Sequence, residues 1–185
     1  NLALKHEENT TIEAGFETTI FDKKVTLNTV GFYREQENTY DFFTDPTSYE
    51  SQYINNSNVV IAKGMETSLS IKPVSYFSIN GNYTFTQVAE AQSKLIPKHK
   101  VNVSFDVDLT KKTHWNTQYQ YVESRNDAFF DSNTFATVNT VLASYQILNS
   151  NISYEALPNR LSVFSAVTNI LDKDFYEKTK ERLNV

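Results

Sequence analysis

The chain has 185 residues, 39% of them hydrophobic and 21% charged, with a formal net charge of −5 and no cysteine. That balance leaves no basic surface to track a phosphate backbone, no thiolate for metal binding or nucleophilic attack, and no disulfide framework. Mean hydropathy is −0.47, and no run approaches the ~18 apolar residues of a membrane-spanning helix; a membrane β-barrel, which needs only alternate residues apolar, stays open.

The first residues, Asn1-Leu2-Ala3-Leu4-Lys5-His6, carry no initiator Met and no charged-then-apolar leader, so the chain is expected to be cut from a longer one. Ile12, Ala14, Phe16 and Ile20 then alternate with Thr11, Glu13, Glu17 and Thr19, the period of two that marks a strand with one apolar and one polar face. Further along, Phe77, Ile79, Tyr83 and Phe85 oppose Ser78, Asn80, Asn82 and Thr84. Val101, Val103, Phe105, Val107 and Leu109 oppose Asn102, Ser104, Asp106, Asp108 and Thr110. Trp115, Tyr119 and Tyr121 oppose His114, Asn116, Gln118 and Gln120, and the pattern returns in Leu148, Ile152 and Tyr154 and again in Leu161, Val163 and Val167. It predicts roughly eight strands of about 10–14 residues, near 9–21, 24–36, 58–72, 76–87, 98–110, 113–125, 142–156 and 160–170, long enough for the ~9–11 residues with which a tilted strand crosses a bilayer.

The connectors alternate between short and long. Asp22-Lys23-Lys24, Lys72-Pro73-Val74-Ser75, Thr110-Lys111-Lys112 and Leu157-Pro158-Asn159 are tight turns, while 37–57, 88–97 and 126–141 are long segments. Up-and-down membrane barrels put short turns at the periplasmic end and long loops outside. Phe32-Tyr33, Tyr83 with Phe85, Tyr119 with Tyr121, and Phe175-Tyr176 fit an aromatic girdle at the headgroup level. A soluble β-sandwich serving as a binding or adhesion module would show the same alternation, with its apolar faces meeting across a core.

Four stretches resemble the C-terminal barrel of TonB-dependent outer-membrane receptors: Leu4 to Phe16, with His6 where the family has proline; Asn58 to Glu66 leading to Asn82-Tyr83-Thr84-Phe85; Pro97-Lys98-His99-Lys100-Val101-Asn102; and Val167-Thr168-Asn169-Ile170-Leu171-Asp172-Lys173-Asp174-Phe175-Tyr176. The resemblance implies an all-β, antiparallel up-and-down transmembrane β-barrel, with residues 1–185 as one partial barrel domain. Eight strands would be part of a barrel of about 22, with the plug and the aromatic-ended closing strand absent. It further implies a Gram-negative outer-membrane receptor that takes up cobalamin or a ferric siderophore with energy from the inner-membrane TonB complex; of the two branches, the compact loops and short linkages around Gly64 to Lys100 look more like the cobalamin one. Its partners would be outer-membrane lipid, its own plug and TonB. A non-transporting barrel is the alternative within the same fold.

Chemistry-bearing residues are sparse. His6, His99 and His114 fall in separate segments without a carboxylate at ligand spacing, and four glycines leave little room for a phosphate loop, so neither enzyme activity nor a metal, cofactor or nucleic-acid site is expected. The loops offer more. Tyr40, Phe42, Phe43, Tyr49 and Tyr53 crowd one, and Arg125, Asp127, Phe129, Phe130 and Phe135 crowd another. Aromatics beside hydrogen-bonding groups capture a bulky, partly apolar solute; equally, they pack on one another to order a long loop. Gly64 marks a bulge or a close backbone approach. Asn169 and Asp172 to Asp174 are expected to satisfy local backbone groups, with cation ligation by Asp172 and Asp174 as the alternative.

Overall fold

The computed structural model describes residues 4–89, 94–131, 136–178 and 181–182. Eight strands build one antiparallel sheet: β1 (Glu8–Ile20), β2 (Val25–Glu37), β5 (Val60–Val74), β6 (Phe77–Val88), β7 (His99–Thr110), β8 (Thr113–Val122), β11 (Tyr145–Leu157) and β12 (Leu161–Val167). Their spatial order, β1-β2-β5-β6-β7-β8-β11-β12, follows the chain, so the sheet is an up-and-down meander. The omitted numbers are two-stranded pairs of their own: β3 (Tyr40–Thr44) with β4 (Ser51–Asn55), β9 (Arg125–Asp131) with β10 (Ala136–Leu142), and β13 (Tyr176–Lys178) with β14 (Glu181–Arg182).

Register converts the alternation of each strand into rows that cross the sheet. Leu27, Leu69, Gly81, Val103, Tyr119 and Leu148 are successive cross-strand partners on one face. One step along, Glu17, Asn28, Ser68, Asn82, Asn102 and Gln120 form a row on the other. Side chains within the polar rows bond across strands, Asn28 Nδ2 donating to Glu17 Oε2 at 3.2 Å and Gln120 Nε2 to Asn102 Oδ1 at 3.0 Å. Such pairs contribute about 0.2–1 kcal/mol each and hold the register, because a slip of one residue would exchange the faces.

No second layer covers the apolar face among the described residues. Ile12, Phe16, Leu109 and Val163 remain 66%, 58%, 53% and 51% exposed. Several polar atoms on that face bond to one another: Trp115 Nε1 donates to Ser150 Oγ at 2.8 Å, Tyr119 Oη to Gln146 Oε1 at 2.9 Å, and the Thr29 and Thr67 hydroxyls lie 3.2 Å apart. A sandwich would bury this face; the described sheet is a single layer with the face open.

Several sequence expectations change at strand ends. β8 stops at Val122 instead of reaching 125, because the chain leaves the sheet there and β9 pairs only with β10. β12 stops at Val167 instead of 170: Asn169, at φ 49°, donates its N–H to the Asn149 side-chain carbonyl at 2.8 Å and so leaves the regular ladder. Register irregularities fall between Ile71 and Val74, Asp108 and Thr110, and Glu155 and Leu157, all at the short-turn end. Pro73, which lacks an N–H, lies inside the first of them.

Gly64 sits in continuous register between Phe32 and Thr86, so the expected bulge is absent and the close approach is present. A Cβ there would overlap the Phe85 carbonyl oxygen and lie 2.8 Å from Phe32 Cζ. Phe32 therefore lies over Gly64 on the polar face, not in an apolar-face girdle. Gly81, by contrast, has its nearest obstacle, the Asn102 carbonyl oxygen, at 3.8 Å. Gly64→Ala is expected to destabilise the sheet by about 3 kcal/mol, as overpacking against backbone does, while Gly81→Ala stays near neutral. Urea unfolding in detergent micelles compares the two.

Candidate functional site at the long-loop end

Two hairpins extend beyond the long-loop end of the sheet. The β3–β4 hairpin stands above β2 and β5, and the β9–β10 hairpin above β8 and β11. β6 and β7 lie between them, which separates their bases by about 15 Å along the rim at a strand spacing of about 4.8 Å.

In the first hairpin the sequence-selected aromatics come together in part. Phe42 and Tyr53 are cross-strand partners with ring centroids 5.3 Å apart, edge to face at 69°. Tyr40 shares their face and Phe43 the opposite one, by the alternation of β3. Contact between the rings does not bury them: Tyr53 is 65% exposed, Phe42 59%, and Tyr49, at φ 58° in the turn, 81%. The tip is held by Asp45, whose Oδ1 accepts from the backbone N–H groups of Thr47 at 2.7 Å and Ser48 at 3.2 Å. These two bonds, Thr47 first, hold the Asp45 carboxyl below the usual carboxylate range.

The base is held by Asn55, a residue the sequence did not single out. Its Oδ1 accepts from Lys5 N–H at 2.7 Å, and its Nδ2 donates to the carbonyls of Lys5 at 3.0 Å and Asn38 at 2.7 Å. No sequence signal marks Asn55, since its partners lie 50 and 17 residues away.

The second hairpin is anchored differently. Arg125 and Asp127 are only 4% and 5% exposed, so they are interior groups of the hairpin base and not surface contacts. The Arg125 guanidinium lies 5.5 Å from the centroid of the Tyr145 ring, and that ring stacks on Phe175 at 4.7 Å. Val122 and Ile147 complete this apolar cluster. Val122 and Ile147 continue the polar-face parity of β8 and β11, so Phe175 packs on that face and does not belong to a girdle on the apolar one. Phe129 is half-buried within β9. The Phe130 side chain and all of Phe135 lie outside the described residues.

The chain reaches Phe175 through a turn clamped by Asn169, whose Oδ1 accepts from Lys173 N–H and whose Nδ2 donates to the Lys173 carbonyl, both at 3.1 Å. Asn169 thus satisfies local backbone groups as its sequence position implies.

Strand register also makes a pairing that linear spacing hides. His114 Nδ1 is 2.9 Å from Asp108 Oδ1, and its Nε2 is 3.6 Å from Asp106 Oδ1, on the polar face near the short-turn end. A hairpin turning at Lys111-Lys112 sets Asp108 opposite His114, and that counting is the signal that would have found the pair.

A one-layer, two-faced meander with short turns at one end and hairpins at the other defines a segment of barrel wall. Residues 1–170 match the model of the TonB dependent receptor-like, beta-barrel family, and the chain belongs to that family. Among solved structures it is similar to FpvA of P. aeruginosa bound to a heterologous pyoverdine, at 16% identity and a TM-score of 0.78, over 95% of this chain and 24% of that one. The ferric-catecholate import receptor Fiu of E. coli K12 matches at 18% identity and a TM-score of 0.73, over 95% and 25%. The siderophore receptor PirA of Acinetobacter baumannii matches at 18% identity and 0.73, over 92% and 28%. The chain spans about a quarter of the length of these structures.

For Asp45 the sign follows from the depressed carboxyl: the turn is stabilised while the carboxylate is ionised, and that contribution is lost as pH falls through and below the ordinary carboxylate range near ~4. Amide exchange at residues 45–50 is expected to stay protected at neutral pH and to accelerate in acid, and Asp45→Asn should remove the pH dependence. Asn55→Ala should speed exchange across residues 38–56 at least about fivefold, one hydrogen bond being worth about 1 kcal/mol, with little change in the unfolding of the main sheet.

Proposed function

We propose that this chain forms part of the wall of a Gram-negative outer-membrane receptor that takes up a scarce, bulky solute with energy from the inner-membrane TonB complex. The observation that carries the reading is the uncovered apolar face, on which Trp115 with Ser150, Tyr119 with Gln146 and Thr29 with Thr67 bond to one another. In water such a face would be a large exposed liability. Against hydrocarbon it is the expected surface, since every polar group must be satisfied internally. The polar face, with its rows of Asn, Gln and Ser, then lines the lumen in which the receptor's plug sits. The role so read is transport.

The hairpins would face outward and supply solute contacts. Tyr40, Phe42, Phe43, Tyr49 and Tyr53 offer exposed rings on a braced hairpin, which is what an apolar or conjugated ligand surface needs. From the second hairpin Phe129 and Phe130 would add to them, with Arg125 and Asp127 holding its base in position. Between cobalamin and a ferric siderophore, we favour the siderophore: the similar structures named above include a pyoverdine-bound receptor, a ferric-catecholate importer and a siderophore receptor.

The intact receptor is expected to partition into detergent, to migrate differently on gels before and after boiling, and to quench its tyrosine fluorescence on titration with ferric pyoverdine or a ferric catecholate. Tyr49→Ala with Phe42→Ala should weaken that binding about tenfold without changing the boiling behaviour. Saturable binding of cobalamin with no response to iron chelates would overturn the choice of solute. Behaviour as a water-soluble monomer would overturn the receptor reading altogether.

A further inference from the structure

The four short turns carry a charge opposite to that of the whole chain. Between them, residues 21–24, 72–76, 110–113 and 157–160 hold Lys23, Lys24, Lys72, Lys111, Lys112 and Arg160 against the single carboxylate Asp22, in a chain of net charge −5. In the first long segment at the other end the sign reverses: from Arg34 to Lys63 there are five carboxylates and no intervening Lys or Arg. All six turn cations are exposed, and among the described residues none forms an ion pair. The carboxylates nearest in sequence are engaged elsewhere, Asp108 with His114 at 2.9 Å and Glu155 through the Asn159 backbone N–H at 2.7 Å.

Directly above one of these turns the apolar face is not smooth. Trp115, Ile152 and Val167 wall a furrow of about 400 Å³, with Ser150 and Ser165 as its floor and Leu109 at its foot. Ser150 on that floor is partnered, its Oγ accepting from Trp115 Nε1 at 2.8 Å and lying 3.1 Å from Thr117 Oγ1. Hydrocarbon entering beside it meets a hydroxyl whose hydrogen bonds are already made. Leu109 precedes Lys111 by two residues, about 7 Å of strand, within reach of a lysine side chain that extends along an apolar surface to place its ammonium in the headgroup layer.

We propose that the short-turn rim is a binding site for anionic phospholipid, with the phosphate and glycerol headgroup at Lys111, Lys112 and Arg160 and an acyl chain in the furrow beside Trp115. The proposal rests on the membrane placement above and adds to it a lipid class, a leaflet and a location. Each exposed cation next to an anionic bilayer contributes about fivefold in affinity at modest ionic strength, so three of them distinguish a charged from a zwitterionic headgroup by well over tenfold.

The test is native mass spectrometry of the intact receptor, delipidated and titrated with phosphatidylglycerol or phosphatidylcholine of matched chains. Phosphatidylglycerol should be retained at least about tenfold better. The triple variant Lys111→Gln, Lys112→Gln, Arg160→Gln should lose that preference, whereas Lys111→Arg with Lys112→Arg should keep it and a Lys94→Gln, Lys98→Gln control at the opposite end should leave it intact. Equal retention of the two lipids, or a preference that survives the triple neutralisation, overturns the site while the receptor reading stands. Failure of the intact receptor to enter bilayers at all overturns both.

Discussion

A β-sheet one layer thick can persist only if each of its faces meets a medium that suits it, because its backbone groups are satisfied by the ladder and by nothing else. In this chain the ladder runs through eight strands with continuous register over most of its area. Parity is therefore inherited from strand to strand. Once Val103 faces one medium, so do Leu69, Leu27, Tyr119 and Leu148, and Asn102 carries Asn82 and Gln120 to the other. The stability of the wall and the identity of its two surfaces are one property, set by register.

The two ends of the sheet exploit this frame in different ways. At the short turns the strands are bent by local irregularities and by backbone conformations that side chains tolerate poorly, with Phe21, Asp22 and Lys23 all at positive φ. At the other end the chain leaves the ladder and pairs with itself. The first hairpin keeps its rings in the open and is braced by hydrogen bonds at tip and base. The second buries a charged pair of residues and leans on the stack of Tyr145 and Phe175. A hairpin with exposed rings and one with a buried, packed base thus stand about 15 Å apart on one rim.

Much of this was legible in the residues because a period of two is a geometric necessity for a strand and eight such runs leave little freedom in an up-and-down chain. Strand centres followed from Val101 to Leu109 and their counterparts. What escaped was anything decided by non-local pairing. Arg125 and Asp127 look like surface loop residues, yet both are buried, Arg125 over the ring of Tyr145. Phe175 and Phe32 look like girdle aromatics because ring type says nothing about side; in Phe32 the missing side chain of Gly64 decides it. Asn55 has no pattern at all, its role arising only where the start of the chain crosses the hairpin base. The hairpins themselves were hidden inside long loops, since five-residue strands such as β3 and β4 are too short to announce a period.

The breaks at Asn38 and at Glu123-Ser124 have an evolutionary reach. Because β3 and β4 bond to each other and not to β2 or β5, residues can be inserted, deleted or exchanged in that hairpin without disturbing a single rung of the main ladder. β9 and β10 likewise bond to each other outside the ladder, but the base of that hairpin packs on Tyr145 of β11, so the freedom there is confined to residues beyond Asp127. The first hairpin and the sheet are thus mechanically decoupled, so a lineage could rewrite that insert while selection on the rest continued to act through folding alone.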